Sequence, residues 1–90
     1  MADINPKKLK DMFAALNNAN RIKIVMLCSE TGLTITELSK KLKLNYSVTS
    51  EYVSMLEKAG LVRKTRNDDK TVRIKSLIRL ADNGEIKKTG

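Results

Sequence analysis

The sequence has no histidine, no tryptophan and a single cysteine, Cys28. A lone cysteine cannot form an internal disulfide, so we expect a fold that is stable without one in a reducing compartment. Thiolate and imidazole are the ligands that soft and borderline metals prefer, and their near absence argues against a transition-metal site. Because Cys28 lies in an apolar helical pattern, we predict a buried structural thiol rather than a ligand or sensor.

Aromatic residues and long apolar runs are also scarce. Phe13, Tyr46 and Tyr52 are the only aromatic side chains, too few for the stacking platforms of single-strand binders. The longest apolar run, Ile24 to Cys28, is far too short to cross a bilayer. The glycines are isolated and no histidine could assist a nucleophile, so neither a phosphate-binding loop nor a catalytic triad is present. We therefore predict that the protein is not an enzyme and binds no cofactor.

Positive charge is abundant and unevenly distributed. The chain of 90 residues fits one domain, residues 1–90, and carries a net charge of +8. Residues 61–80 hold seven basic and two acidic side chains, and thus five of the eight excess positive charges. A solvated surface does not require that concentration, whereas a hairpin that contacts nucleic-acid phosphates does.

Helical periodicity predicts four helices in the first two thirds of the chain. The first begins after Asn5, and the second runs from about Arg21 to Glu30 with Asn20 as its N-cap. The third follows a capping box formed by Thr34 and Glu37, and the fourth spans about Tyr46 to Lys58 and ends at Gly60. Gly32 is expected in the left-handed conformation after the second helix. The inward positions of the last three helices are predicted to be Ile22, Ile24, Val25, Met26, Leu27, Cys28, Ile35, Leu38, Leu42, Thr49, Tyr52 or Val53, and Leu56.

The period then changes from helical to alternating, which is typical of strands with one wet face. Val62, Val72 and Ile74 alternate with basic residues, and Asn67 to Lys70 form a turn between two strands. The tail, residues 77–90, either turns a second hairpin at Asp82-Asn83-Gly84 or forms a frayed helical turn. The predicted fold is mainly α with a small β-hairpin (α+β): a winged helix-turn-helix with four helices and a two-stranded wing. The helix-turn-helix covers about 34–59 and the wing about 61–76.

Two stretches resemble regulators of the ArsR type: "FAALNNANRIKIVMLC" (Phe13 to Cys28) and "TITELSKKLKLNYSVTSEYVSMLEKAGLV" (Thr34 to Val62). The resemblance implies a homodimeric, cytoplasmic transcriptional regulator that binds double-stranded DNA, with its fourth helix in the major groove. By position, it makes five residues of that helix candidates for contacts with bases: Tyr46, Ser47, Ser50, Glu51 and Ser54. The candidates for contacts with the DNA backbone are the basic residues of the third helix and the wing: Lys40, Lys41, Arg63, Lys64, Arg66, Lys70, Arg73 and Lys75.

The chain departs from the family pattern at the metal site. Many family members bind metal through a Cys-x-Cys pair near the start of the third helix, and here Thr34 and Thr36 occupy those positions. No bound metal is therefore expected. The family also commonly adds a long C-terminal helix that supports dimerisation, for which the residues after the wing are too few. Dimerisation is then expected to rest on four residues of the first helix, unless this stripe completes the monomer core: Leu9, Met12, Phe13 and Leu16.

The fourth helix places a carboxylate, Glu51, among the candidate base contacts and offers no arginine to bind guanine. Two alternatives therefore stay open beside the sequence-specific regulator. One is an architectural protein that coats DNA with little sequence preference. The other is a winged helix that serves as a protein-interaction module.

Overall fold

The computed structural model describes the backbone of residues 5–80 and 86–88, and the side chains of residues 5–78. It contains the four predicted helices followed by two short hairpins, and so confirms the predicted winged helix-turn-helix. The elements in chain order are α1 (Pro6–Ala15), α2 (Ala19–Glu30), α3 (Ile35–Leu42), α4 (Tyr46–Lys58), β1 (Val62–Arg66), β2 (Val72–Ser76), β3 (Ile78–Leu80) and β4 (Ile86–Lys88).

Each helix begins at a side chain that accepts a hydrogen bond from a free backbone N–H. Asn5 and Asn45 cap α1 and α4, and the capping box of α3 has both of its bonds, at 3.1 and 2.9 Å. The prediction for α2 was wrong: Asn18, not Asn20, is its N-cap. Asn18 Oδ1 accepts from the N–H groups of Asn20 and Arg21 at 2.9 and 3.1 Å. The helix therefore begins two residues earlier, and Asn20 lies inside its first turn.

The core lies where α2 and α4 pack against each other and against the base of the wing. In α4 the buried residues are Thr49, Val53 and Leu56, so the open choice between Tyr52 and Val53 falls to Val53, with Tyr52 half-buried. In α2, burial centres on Ile24, Val25 and Cys28. Met26 was wrongly placed inward: it is 48% exposed, because it lies on the side of the helix opposite to that centre.

The wing is the antiparallel pair of β1 and β2, in which Val62 pairs with Ser76 and Arg66 with Val72. Leu33, between α2 and α3, forms a bridge to Ile74 through two hydrogen bonds of 3.1 and 2.7 Å. The bridge adds a third strand-like segment to the sheet and joins the wing to the helices.

Gly32 does not have the predicted left-handed conformation, since Gly60 is the positive-φ glycine among the described residues. Gly32 instead allows β2 to approach the backbone closely. A Cβ at this position would lie 3.2 Å from Lys75 Cε and 3.3 Å from Arg73 Cβ. A larger residue would press on the side chains of β2. The short bridge beside it thus depends on a residue without a side chain.

The described part of the tail consists of strands rather than a helical turn. β3 pairs with β4 in an antiparallel arrangement, with Arg79 opposite Lys87. The predicted turn at Asp82-Asn83-Gly84 lies outside the described residues.

The end of α4 yields a prediction about stability. Gly60 has φ 78°, its N–H donates to Glu57 O, and the N–H of Leu61 donates to Leu56 O, which together form a Schellman motif. We expect Gly60→Ala to lower the free energy of unfolding by about 1–2 kcal/mol in urea denaturation, because a Cβ is disfavoured at this φ. Gly60→Asn is the matched control and should restore part of the loss, since asparagine tolerates the left-handed region. Equal losses for the two variants would assign the effect to lost space instead.

Candidate nucleic-acid interface

The outer side of α4 is an open, polar surface. The five predicted base contacts form a continuous band along two turns of the helix, beside the buried stripe of Thr49, Val53 and Leu56. Tyr46, at 57% exposed, Ser47 and Glu51 project into solvent, while Ser50 and Ser54 are half-buried. The band presents hydroxyl groups, one phenol and one carboxylate, which are types of group able to hydrogen-bond with base edges.

Arg21 holds α4 against α1, a function that the sequence did not predict. Its Nε donates to Ala15 O at 2.6 Å, at the end of α1. Its guanidinium carbon lies 5.4 Å from the centre of the Tyr52 ring, and Nη1 is 3.6 Å from Met55 Sδ. A basic residue of the resemblance motif is thus committed to contacts within the fold, where it fixes α4 relative to α1 and α2.

The turn between α3 and α4 is short because Lys43 adopts the left-handed conformation, with φ 58°. Its N–H donates to Ser39 O and Lys40 O, and the N–H of Leu44 donates to Ser39 O. Lys40 and Lys41, two predicted backbone contacts, are exposed in the last turn of α3, just before this reversal.

The wing divides its basic residues between two faces, because successive strand residues point to opposite sides and cross-strand partners share a side. Lys64 and Arg66 pair with Ile74 and Val72, on the side that faces α4; Lys64 Nζ lies 3.8 Å from Glu57 Oε1 of that helix. The other side, here called the outer wing face, carries the three remaining strand residues of the predicted set: Arg63, Arg73 and Lys75. The structure therefore brings Lys64 and Arg66 together with α4 and leaves these three apart from it.

Arg73 supports the wing from its outer face. Nη1 donates to Gly32 O at 3.2 Å and lies 3.3 Å from Glu37 Oε1, which links β2 to the start of α3. The pKa of Glu37 is lowered, first by the bond from the Thr34 backbone N–H and further by the charge of Arg73. The side chain of Arg73 is thus occupied by contacts within the fold.

The tip of the wing is a turn held by Asp69. Its carboxylate accepts from Thr71 Oγ1 at 2.6 Å and from the Thr71 N–H at 3.1 Å, and these bonds lower its pKa. Lys70 is exposed beside it with φ 67°, and its N–H donates to Asn67 O. The predicted turn from Asn67 to Lys70 is confirmed, and Lys70 extends from the tip into solvent.

The predicted dimer residues of α1 fall on two sides of the helix. Phe13 and Leu9 are 55% and 38% exposed, whereas Met12 and Leu16 are partly buried against the core. Met12 and Leu16 therefore extend the core of the monomer, whereas Leu9 and Phe13 remain exposed to solvent.

Cys28 is buried, as predicted, and this desolvation raises the pKa of its thiol to about 12. Within residues 5–80 and 86–88, no three His, Cys, Asp or Glu side chains form a cluster that could hold a metal ion. No helix in that part of the chain has the length and apolar content required to cross a membrane.

The arrangement of two braced helices, a short turn and a basic wing defines the winged helix-turn-helix class of proteins. Residues 18–64 match the family described as bacterial regulatory protein, arsR family. This match covers more than half of the sequence, and the chain belongs to that family. Its members are regulators rather than enzymes, which confirms the prediction that the chain is not an enzyme.

Individual relatives agree with this assignment. The transcriptional activator HlyU of Vibrio cholerae is 32% identical over 68 residues, which cover 76% of this chain and 62% of the relative. The chain thus spans less than two thirds of that relative's length. The structure of HlyU from Vibrio cholerae superposes with a TM-score of 0.72 at 27% identity, over 83% of this chain and 80% of the other.

A homodimeric winged helix-turn-helix DNA-binding domain from Mycobacterium bovis has the same fold. Its TM-score is 0.72 at 18% identity, over 84% of this chain and 75% of that domain.

Proposed function

We propose that the protein is a transcriptional regulator that binds specific sites in double-stranded DNA, with α4 in the major groove and the wing on the phosphate backbone. The observation that carries the proposal is the open polar band on α4 beside the α4-facing basic residues of the wing. A helix of this width fits the major groove, where each base pair presents a distinct set of donors and acceptors. As in the family, such a regulator would act in the cytoplasm.

Sequence preference would come from the band on α4. Serine hydroxyls donate to or accept from any base, Tyr46 adds a phenol at the start of the helix, and Glu51 suits the N4 amino group of cytosine. Because the band has no arginine, we expect moderate discrimination at each base pair rather than a dominant guanine contact.

Selection from a random duplex library at near-physiological salt tests this proposal. We expect an enriched motif, and an inverted repeat with half-sites about 10 base pairs apart if two copies bind together. Ser50→Ala and Tyr46→Ala should each reduce the discrimination between bases at the contacted positions of the motif by about 1–3 kcal/mol. The control Lys58→Gln, at the end of the same helix, should leave this discrimination unchanged. Retention without enrichment would favour an architectural protein, and no retention would favour a protein-interaction module.

Affinity would come largely from Lys64, Arg66 and Lys70, the basic residues on the α4-facing side and at the tip of the wing. We expect the variant Arg66→Gln/Lys70→Gln to bind all duplexes more weakly and to flatten the log–log salt slope by about 1.8, since each neutralised phosphate contributes about 0.9. The control Arg63→Gln/Lys75→Gln removes the same charge from the outer wing face and should change the slope less. Equal changes in slope would show that the two faces do not differ in DNA contact.

We further propose that the regulator is a homodimer, with Phe13 and Leu9 of α1 at the interface. Their exposure on one side of α1 supports this, and the Mycobacterium bovis domain of the same fold is homodimeric. Phe13→Asp should weaken association about 10- to 100-fold in sedimentation equilibrium, because burying a phenylalanine contributes about 1.5–3 kcal/mol. Met26→Asp changes another exposed apolar residue, on α2, and should leave association intact. A dimer that survives Phe13→Asp would contradict an interface at α1.

A further inference from the structure

The outer wing face and the end of α2 line an open pocket of about 350 Å³ that the proposed DNA contacts do not use. Its positive wall is the wing, with Arg63 and Lys75, and its opposite wall is the last turn of α2 and the loop after it, from Cys28 to Gly32. The volume is at the lower end of the range for small-molecule sites.

The positive wall holds two cations side by side. Arg63 and Lys75 are direct cross-strand partners, so their Cβ atoms lie about 4.5–5.5 Å apart on one face. Like charges in this position repel, and neither has an acidic partner within 4.0 Å among the described residues. The aliphatic stem of Lys75 lies close to Gly32. One oxyanion could therefore bind both side chains and relieve their repulsion.

The opposite wall is negative at the end of α2, whereas the Gly32 carbonyl beyond it already accepts a hydrogen bond from Arg73. Glu30 is the last residue of α2, and the last turn of this helix has no basic residue. The C-cap residues of α1, α3 and α4 all return an N–H to the carbonyls of their own helix, but Thr31 of α2 has no such bond. A helix end of this kind favours a cation or hydrogen-bond donors. None of the hydrogen bonds among the described residues joins Arg63 or Lys75 to these carbonyls, although Arg73 and the Leu33–Ile74 bridge join the wing to the loop after α2.

We propose that this pocket binds a small zwitterionic metabolite. Its phosphate or carboxylate group lies between Arg63 and Lys75, and its ammonium group lies against Glu30 and the carbonyl end of α2. Such a ligand matches the charge of both walls, whereas a simple anion would also meet the negative end of α2. Because the walls belong to α2 and to the wing, a bound ligand would add a contact to those that the Leu33–Ile74 bridge and Arg73 already make between them.

The test is a titration of the ¹⁵N-labelled protein without DNA, followed by NMR at constant ionic strength. The probes are phosphoethanolamine, inorganic phosphate and ethanolamine. We expect saturable shifts for phosphoethanolamine at the amides around the pocket: Thr31, Gly32, Arg63, Lys75 and Leu77. Inorganic phosphate and ethanolamine should each bind more weakly than phosphoethanolamine, because each contacts only one wall of the pocket.

Three variants with exposed substitution sites separate the walls. Arg63→Gln/Lys75→Gln should weaken phosphoethanolamine binding at least about tenfold, because it removes at least one charge-assisted hydrogen bond. Glu30→Gln should weaken the binding of phosphoethanolamine but not the binding of inorganic phosphate. The control Arg66→Gln/Lys70→Gln removes the same charge outside the pocket and should leave binding unchanged.

Three results would overturn the proposal. The first is shifts that rise linearly and spread over all basic regions. The second is saturable binding that Arg63→Gln/Lys75→Gln leaves intact. The third is that inorganic phosphate binds as tightly as phosphoethanolamine and that Glu30→Gln leaves the binding of phosphoethanolamine unchanged. This result would show that the pocket binds anions only. Since no DNA is present, none of these results depends on the proposed DNA contacts.

Discussion

The bridge between Leu33 and Ile74 is the contact on which the position of the wing depends. A two-stranded hairpin is at best marginally stable on its own, and β1 and β2 are five residues each. Two hydrogen bonds to Leu33 join this hairpin to the segment between α2 and α3, and Ile74 is buried at the same point. The wing is thereby held at a fixed position relative to the helix-turn-helix. If that position varied, α4 and the wing could not contact one duplex at the same time.

Two arginines show that positive charge in a basic protein also has structural uses. Arg21 connects the end of α1 to Tyr52 and Met55 of α4, and Arg73 connects β2 to Gly32 and to the capping residue Glu37. Both suit this use because a guanidinium has several donors in one plane and stacks on aromatic rings. Net charge therefore overstates the number of side chains that are available to a polyanion.

Local patterns in the sequence predicted most of the fold. The capping box of α3, the buried stripe of α4 and the turn at Asp69 depend on residues close together in the chain, and all three were found. The predictions that failed concern either a choice between two similar local signals or a contact between residues far apart in the chain. Asn18 and Asn20 are both good N-caps, and the spacing does not decide between them. Gly32 looks like a helix-ending glycine until β2 lies against it, and the alternation of the wing reveals two faces without showing which one meets α4.

Lys43 and Lys70 are the two non-glycine residues of the described chain with positive φ, one in the turn before α4 and the other at the tip of the wing. Glycine adopts this conformation without the steric penalty, which is about 1 kcal/mol or more for other residues. A lysine at these positions adds a positive charge to each turn at the expense of backbone stability. Replacing either lysine with glycine would remove the steric penalty and the charge together, so stability and charge are coupled at these two turns.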